Sequence, residues 1–227
     1  MMKWLYILGG ILGFYALVVL FLNVFLEKVL FLPEKLASDY SFSFERPFEE
    51  LWLGEGNLKI NALRFKTEGV AKGLVLYFHG NADNLQRWGE YVVDITRLGY
   101  EVLAIDYPGY GKSPGSPNEE VIFASAELAW EWGRERFASD SIVIYGRSLG
   151  SGPASYLSAQ HQGELLILET PFYSVPDVLR ARFPIGIWWN DEFQFPNNLY
   201  VADSKNEVFV FQGTSDYVVP FRSAVKL

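Results

Sequence analysis

The chain has 227 residues, half of them apolar and 17% aromatic, which excludes a disordered polypeptide and supplies enough for one large core plus an appendage. A formal net charge of −8, with no cluster of Lys or Arg, excludes nucleic acid as a partner. The chain has no cysteine, so a thiol nucleophile, disulfides and a Cys-based zinc site are excluded too.

In chain order, Trp4 to Leu26 comes first, 23 residues without a charge. As a helix it would be roughly 34 Å long, enough to cross a bilayer core with some tilt. Trp4 and Tyr6 stand where interfacial anchors stand. A cleaved signal peptide would carry a shorter apolar region and a small-residue cleavage site, and N-V-F-L-E-K holds no such site; a buried core helix is the remaining alternative. The expectation is a single-pass membrane anchor over residues 1–27, with the lipid bilayer as partner, and a juxtamembrane connector over 28–39 broken by Pro33. Lys3 lies on one side and Lys28 and Lys35 on the other, so the charge bias does not decide the orientation.

A domain follows over 40–227. Tyr40–Arg46 alternates Phe42 and Phe44 with polar residues and reads as extended. Glu50–Leu53 and Lys59–Phe65 flank G-E-G-N, a hairpin signal. Five short apolar runs come next: Leu74–Phe78, Val102–Ile105, Ile142–Tyr145, Leu165–Leu168 and Val208–Phe211. Near-continuous apolar strands are those of a parallel sheet buried on both faces. Helix-length segments separate them: Leu85–Leu98 closing at Gly99, Glu119–Phe137 capped by Asn118, and Leu149–His161. The alternation predicts an α/β fold with right-handed crossovers.

Each candidate site residue stands just after an apolar run, where open α/β sheets place ligands. H-G-N-A (79–82) can aim the N–H groups of Asn81 and Ala82 at a developing oxyanion, although an ordinary turn reads the same way. D-Y-P-G-Y-G-K-S (106–113) lacks the spacing of a phosphate loop and reads as a structural loop bordering the site. G-R-S-L-G-S-G (146–152) lies between a strand and a helix, the setting of a nucleophile elbow, with Ser148 at its tip and Leu149 N–H as an oxyanion donor. G-T-S-D-Y-V-V-P (213–220) offers Asp216, a carboxylate able to orient a histidine; Glu169 is a second acid, and a plain turn is the alternative for Asp216.

Taken together these motifs, with L-F-L-P (30–33) and E-T-P-F (169–172), resemble the α/β-hydrolase superfamily, in particular membrane-anchored members related to the eukaryotic protein depalmitoylases and to bacterial serine aminopeptidase-like hydrolases. The resemblance implies an α/β-hydrolase fold: a mostly parallel sheet with helices on both faces. It implies Ser148 as nucleophile and Asp216 as triad acid, with Asn81 or Ala82 and Leu149 forming the oxyanion hole. Departures are Gln212, where the family often has His, and Pro108, where Arg is frequent. The family's histidine follows one more strand, whereas Leu227 lies eleven residues past Asp216. The expectation is therefore a domain without its final strand and helix, and a triad without its histidine.

Neither histidine of this sequence fits as the base. His161, thirteen residues past Ser148, would stand roughly 20 Å away along a helix, and a base must reach about 3 Å. His79 sits at a neighbouring strand tip, where the family counterpart shapes the oxyanion loop. Residues 172–200 hold Trp188, Trp189, Phe193 and Phe195 and read either as a lid over a small acyl or ester substrate or as packing over the core. The functional expectation is a serine hydrolase by ancestry, acting on acyl esters or thioesters of lipids or acylated proteins, with little or no turnover by this chain. The alternatives are a membrane-tethered pseudohydrolase that binds acyl ligands or a protein partner, and a structural membrane protein on a borrowed fold. No metal cluster or nucleotide fingerprint occurs, so neither metal nor cofactor is expected, and nothing fixes the oligomeric state.

Overall fold

A computed structural model describes residues 2–24, 28, 30–182 and 193–227. A first helix, α1 (Met2–Val24), stands with Trp4, Tyr6, Ile7, Leu8, Ile11, Phe14, Leu17 and Phe21 all exposed. This qualifies the expected membrane-crossing helix. Among the described residues no helix is long and apolar enough to cross a membrane.

The domain is one seven-stranded sheet with strand order β1-β2-β4-β3-β5-β6-β7. β1 (Phe48–Glu55) and β2 (Leu58–Phe65) form an antiparallel hairpin in which Glu55 faces Leu58 across the two-residue turn Gly56-Asn57; Gly56 takes φ +60°, which a glycine adopts at little cost. β2 runs antiparallel to β4 (Tyr100–Ile105). β3 (Gly73–Phe78), β4, β5 (Ile142–Arg147), β6 (Leu165–Glu169) and β7 (Glu207–Phe211) pair in parallel. Period-two alternation divides the core. Leu74, Leu76 and Phe78 join Ile142, Ile144, Trp130 and Leu157 on one face, while Val75 and Tyr77 join Val102, Leu85 and Trp88 on the other. The apolar runs read from the sequence are these strands. β7 pairs with β6 alone among the described residues and leaves Phe209, Val210 and Phe211 exposed.

Helices α2 (Leu85–Val92), α3 (Glu119–Arg134), α4 (Ser151–Gln160), α5 (Val175–Arg182), α6 (Asn197–Ala202) and α7 (Phe221–Val225) complete the domain. Two expected elements differ. The helix foreseen over Leu85–Leu98 tightens to a 3₁₀ form from Val93, where β-branched residues crowd the turn and Thr96 Oγ1 bonds back to Val93 O at 2.6 Å. Tyr40–Arg46 forms no strand. Phe42 and Phe44 pack against Phe48 and Phe65, and the Gln86 side chain takes the place of a strand partner, accepting from Ser43 N (3.2 Å) and donating to Ser43 O (3.1 Å). Within the lid-like segment 172–200, Trp188 and Trp189 lie outside the described residues, and Phe193 and Phe195 are buried in the core.

Candidate functional site

The chain leaves β3 for β4 on one side of the sheet and later enters β5 on the other. The C-terminal ends of β3 and β5 therefore flank the point where strand order reverses, the position where open α/β sheets leave a crevice.

β5 ends at Arg147 and a single 3₁₀ turn, Ser148–Gly150, leads straight into α4. Ser148 takes φ +49°, a left-handed conformation costly for a residue with a Cβ. Two glycines permit this turn. A Cβ on Gly146 would lie 2.3 Å from Gly150 O and 2.5 Å from Ala154 Cβ, and one on Gly150 would lie 1.9 Å from Phe78 O. Arg147 is fixed beside the serine. Its guanidinium lies 5.3 Å from the Trp88 ring and 5.2 Å from Tyr91, and Nε stands 3.6 Å from Glu169 Oε1. Glu169 also accepts from Tyr145 OH at 2.8 Å, so this candidate acid is committed to β5.

The loop after β3 is built from below and from outside. Ala82 and Asp83 both take positive φ (71° and 61°). Tyr107 OH donates to His79 O (3.0 Å) and Tyr110 OH to Asn81 Oδ1 (2.8 Å), so the D-Y-P-G-Y-G-K-S loop supports the site as expected. The Trp88 indole N–H donates to Ala82 O (3.0 Å). Asn81 Oδ1 also accepts from Ala82 N (3.0 Å) and from Leu32 N (2.9 Å), while Nδ2 donates to Leu30 O (2.5 Å). The Ala82 amide is thus engaged within the loop. Asn81 and Leu149, with Ser148, line a cavity of about 330 Å³ closed by Leu30, Phe31, Phe172, Val175, Val178, Leu179, Phe195, Val218 and Val219. Among the described residues, Ser148 Oγ has no hydrogen-bond partner.

The titratable groups nearby are spent elsewhere. His79 is fully buried between Trp88, Tyr107 and Tyr110. Its Nδ1 donates to Gly80 O (2.7 Å), and Nε2 stands 3.3 Å from Asp106 Oδ1, out of line for a full hydrogen bond. Burial pushes the Asp106 carboxyl up, and His79 and the Leu85 amide partly offset this. His161 is stacked on Trp130 and bonds Glu127 at 2.8 Å. Asp216 caps its own turn: Oδ1 accepts from Val218 N (2.7 Å) and Val219 N (2.9 Å), and Oδ2 from Gln212 Nε2 (3.2 Å). Through Val218 and Val219 that turn reaches the cavity. Among the described residues no group of His, Asp and Glu forms a metal cluster.

The cavity therefore joins Ser148, Asn81 and Leu149, with the Asp216 turn at its rim. Reading motifs alone missed Trp88, which has no motif around it, and the apolar contribution of α5, whose V-P-D-V-L spacing places Val175, Val178 and Leu179 on one face.

A family model described as alpha/beta hydrolase fold matches residues 73–193. Alpha/beta hydrolase domain-containing protein 17B of Homo sapiens is 31% identical over 160 residues, 69% of this chain and 54% of its own. Alpha/beta hydrolase domain-containing protein 17C of Xenopus tropicalis is 31% identical over 173 residues, 75% of this chain and 55% of its own. The chain thus spans about half the length of the curated relatives it matches. A solved esterase of Pyrococcus furiosus superposes with a TM-score of 0.66 over 87% of this chain and 81% of its own, at 17% identity, a likeness of fold alone.

Proposed function

This chain belongs to the alpha/beta hydrolase fold family, and from that premise we propose that its cavity takes the acyl group of an ester or thioester and presents the carbonyl to Ser148. The observation that carries this reading is a left-handed serine at a strand–helix junction on the wall of an apolar cavity of about 330 Å³, within the roughly 300–1,000 Å³ common for small-molecule sites. Ser148 Oγ attacks the carbonyl carbon, the backbone amides of Asn81 and Leu149 receive the oxyanion, and the alcohol or thiol leaves with a proton. Water then releases the acid and frees the serine. Apolar lining side chains favour an acyl chain over a peptide or a sugar.

The serine proton needs an acceptor, and both histidines of this chain are bound to other partners. Asp216 is the group that would orient a base. Turnover by this chain alone is therefore low or nil, and the same geometry also supports a second reading, acyl binding without turnover. A bilayer is the cover we propose for α1, since a helix apolar all round needs one.

The test is p-nitrophenyl butyrate turnover with and without added imidazole, a mobile substitute for the missing base. The expected result is imidazole-stimulated, protein-dependent release that Ser148→Ala abolishes. Release that persists in Ser148→Ala would overturn the assignment of Ser148. Substantial Ser148-dependent release without imidazole would overturn the view that this chain lacks its base.

A further inference from the structure

The residues just after α1 enter the site itself. Leu30, Phe31 and Leu32 line the cavity that holds Ser148. Phe31 is 3% exposed and meets Phe193 (5.5 Å) and Phe195 (6.4 Å) edge to face, as part of the wall. The segment is stitched down along its length. Asn81 grips Leu30 O and Leu32 N with opposite ends of its amide, and Asn84 Nδ2 donates to Glu34 O (3.3 Å). Gly111 N donates to Glu34 O (2.9 Å), and Leu36 N donates to Gly111 O (2.9 Å). These five polar contacts along a stretch that otherwise has only isolated bridges at Pro33 and Lys35 are more than a tether requires. They fix the position of the Phe31 ring and, through the same Asn81, the loop that supplies the oxyanion amide.

We propose that Leu30–Leu32 is a fixed wall of the acyl cavity, that Phe31 sets how long a chain the cavity covers, and that Asn81 is the positioning residue that locks this wall to the oxyanion loop. The proposal rests on the acyl reading of the cavity. Removing the Phe31 ring would extend the space beside Phe193 and Phe195, so a longer chain would find cover that a shorter one does not need.

The chain has no cysteine, so Ser148→Cys places a single thiol at the cavity wall and probes it without turnover. Alkyl methanethiosulfonates with methyl, butyl, octyl and dodecyl chains are reacted with the full chain in detergent. The thiolate attacks the sulfenyl sulfur, the new S–S bond forms, methanesulfinate departs with the electron pair, and the thiol proton passes to buffer. Rates are read by intact mass, and Val70→Cys, at a site 97% exposed, is the reference thiol in the same micelles. Reagent partitioning is common to all variants and cancels in ratios. In the Ser148→Cys background, Phe31→Ala should raise the dodecyl-to-butyl rate ratio about fourfold, the worth of one newly covered methylene. Phe31→Leu, a milder change, carries the same test if Phe31→Ala does not melt cooperatively. Asn81→Asp keeps the shape but loses the donor to Leu30 O; amide exchange at Leu32 and Leu36 should quicken on the order of tenfold, one hydrogen bond's worth. An unchanged ratio in the Phe31 variants, with octyl still favoured over methyl relative to Val70→Cys, overturns the wall and leaves the acyl cavity standing. No chain-length preference in any background overturns both.

Discussion

Trp88 links the two halves of the site, and Trp88→Phe measures that link. The indole N–H donates to Ala82 O at 3.0 Å, and one ring face carries the Arg147 guanidinium at 5.3 Å. The ring also lies nearly parallel to His79, 5.9 Å away at 13°, and is 6% exposed. Phenylalanine keeps an aromatic ring but loses the donor and most of the indole face. The lost hydrogen bond costs about 0.5–1.5 kcal/mol net. Weakening a half-exposed cation–π contact adds about 0.5 kcal/mol. Together these give about 1–2 kcal/mol, or a fall in melting temperature of about 2–8 °C for a chain of this size. Thermal unfolding followed by circular dichroism reads it. A cycle with Arg147→Met isolates the cation–π share as a coupling of about 0.5 kcal/mol. A melting temperature unchanged within 1 °C (below about 0.5 kcal/mol) would refute the claim that Trp88 holds the Ala82 loop and the serine turn in one frame.

Two further outcomes follow from the same geometry. Gly146→Ala should destabilise by about 1–3 kcal/mol in urea unfolding, because its Cβ would lie 2.3 Å from a backbone oxygen and only a shift of the serine turn relieves that; Gly56→Ala, strained by φ but open around its Cβ, should cost less. Asp177 feels burial, which raises its pKa, yet Lys226 and Ser223 outweigh it and hold the carboxyl below its ordinary range. The unfolded chain then binds the proton more readily, so this contribution is complete above the ordinary carboxylate pKa and is lost as pH falls through the lowered one. Melting curves of Lys226→Met against the parent should differ at pH 7 and converge toward pH 2–3, roughly the foot of that range.

What the sequence disclosed follows the range of the interaction. The serine turn was legible because its causes are local: an apolar strand, glycines at 146 and 150, and a helix, all within a dozen residues. The sheet was legible because strands buried on both faces must be apolar throughout. Tyr40–Arg46 was misread because alternation reports only that one side is buried, and Gln86, 43 residues from Ser43, supplied the backbone partners that a ladder would have provided. The L-F-L-P stretch was visible as part of a pattern, but its place as a cavity wall depends on Asn81, 49 residues beyond Leu32. Trp88 has no local signature at all, since its meaning lies in Ala82 and Arg147.

The polar groups around Ser148 sort into two sets, and the sorting bears on how the serine is activated. On the β3 side the polar groups are held in place: Asn81 to the segment before the domain, Ala82 to Asn81 and Trp88, and His79 by its Nδ1 to Gly80, with its Nε2 turned to the buried Asp106 3.3 Å away. That side is pre-organised and needs no rearrangement to receive charge, which is where electrostatic catalysis gains most. On the β7 side the cavity is bordered by Val218 and Val219, apolar side chains of a turn whose one carboxylate is bound by its own amides. Neither set contains a group free to take a proton from Ser148 Oγ. A small base diffusing to this side meets one titratable carboxylate, Asp216, which is already held by the amides of Val218 and Val219 and by Gln212. The imidazole-dependent rate should then follow the ionisation of imidazole itself, rising through about pH 6.5–7. A rise centred in the carboxylate range would instead mean that Asp216 or Glu169 leaves its present partners and acts on the serine directly.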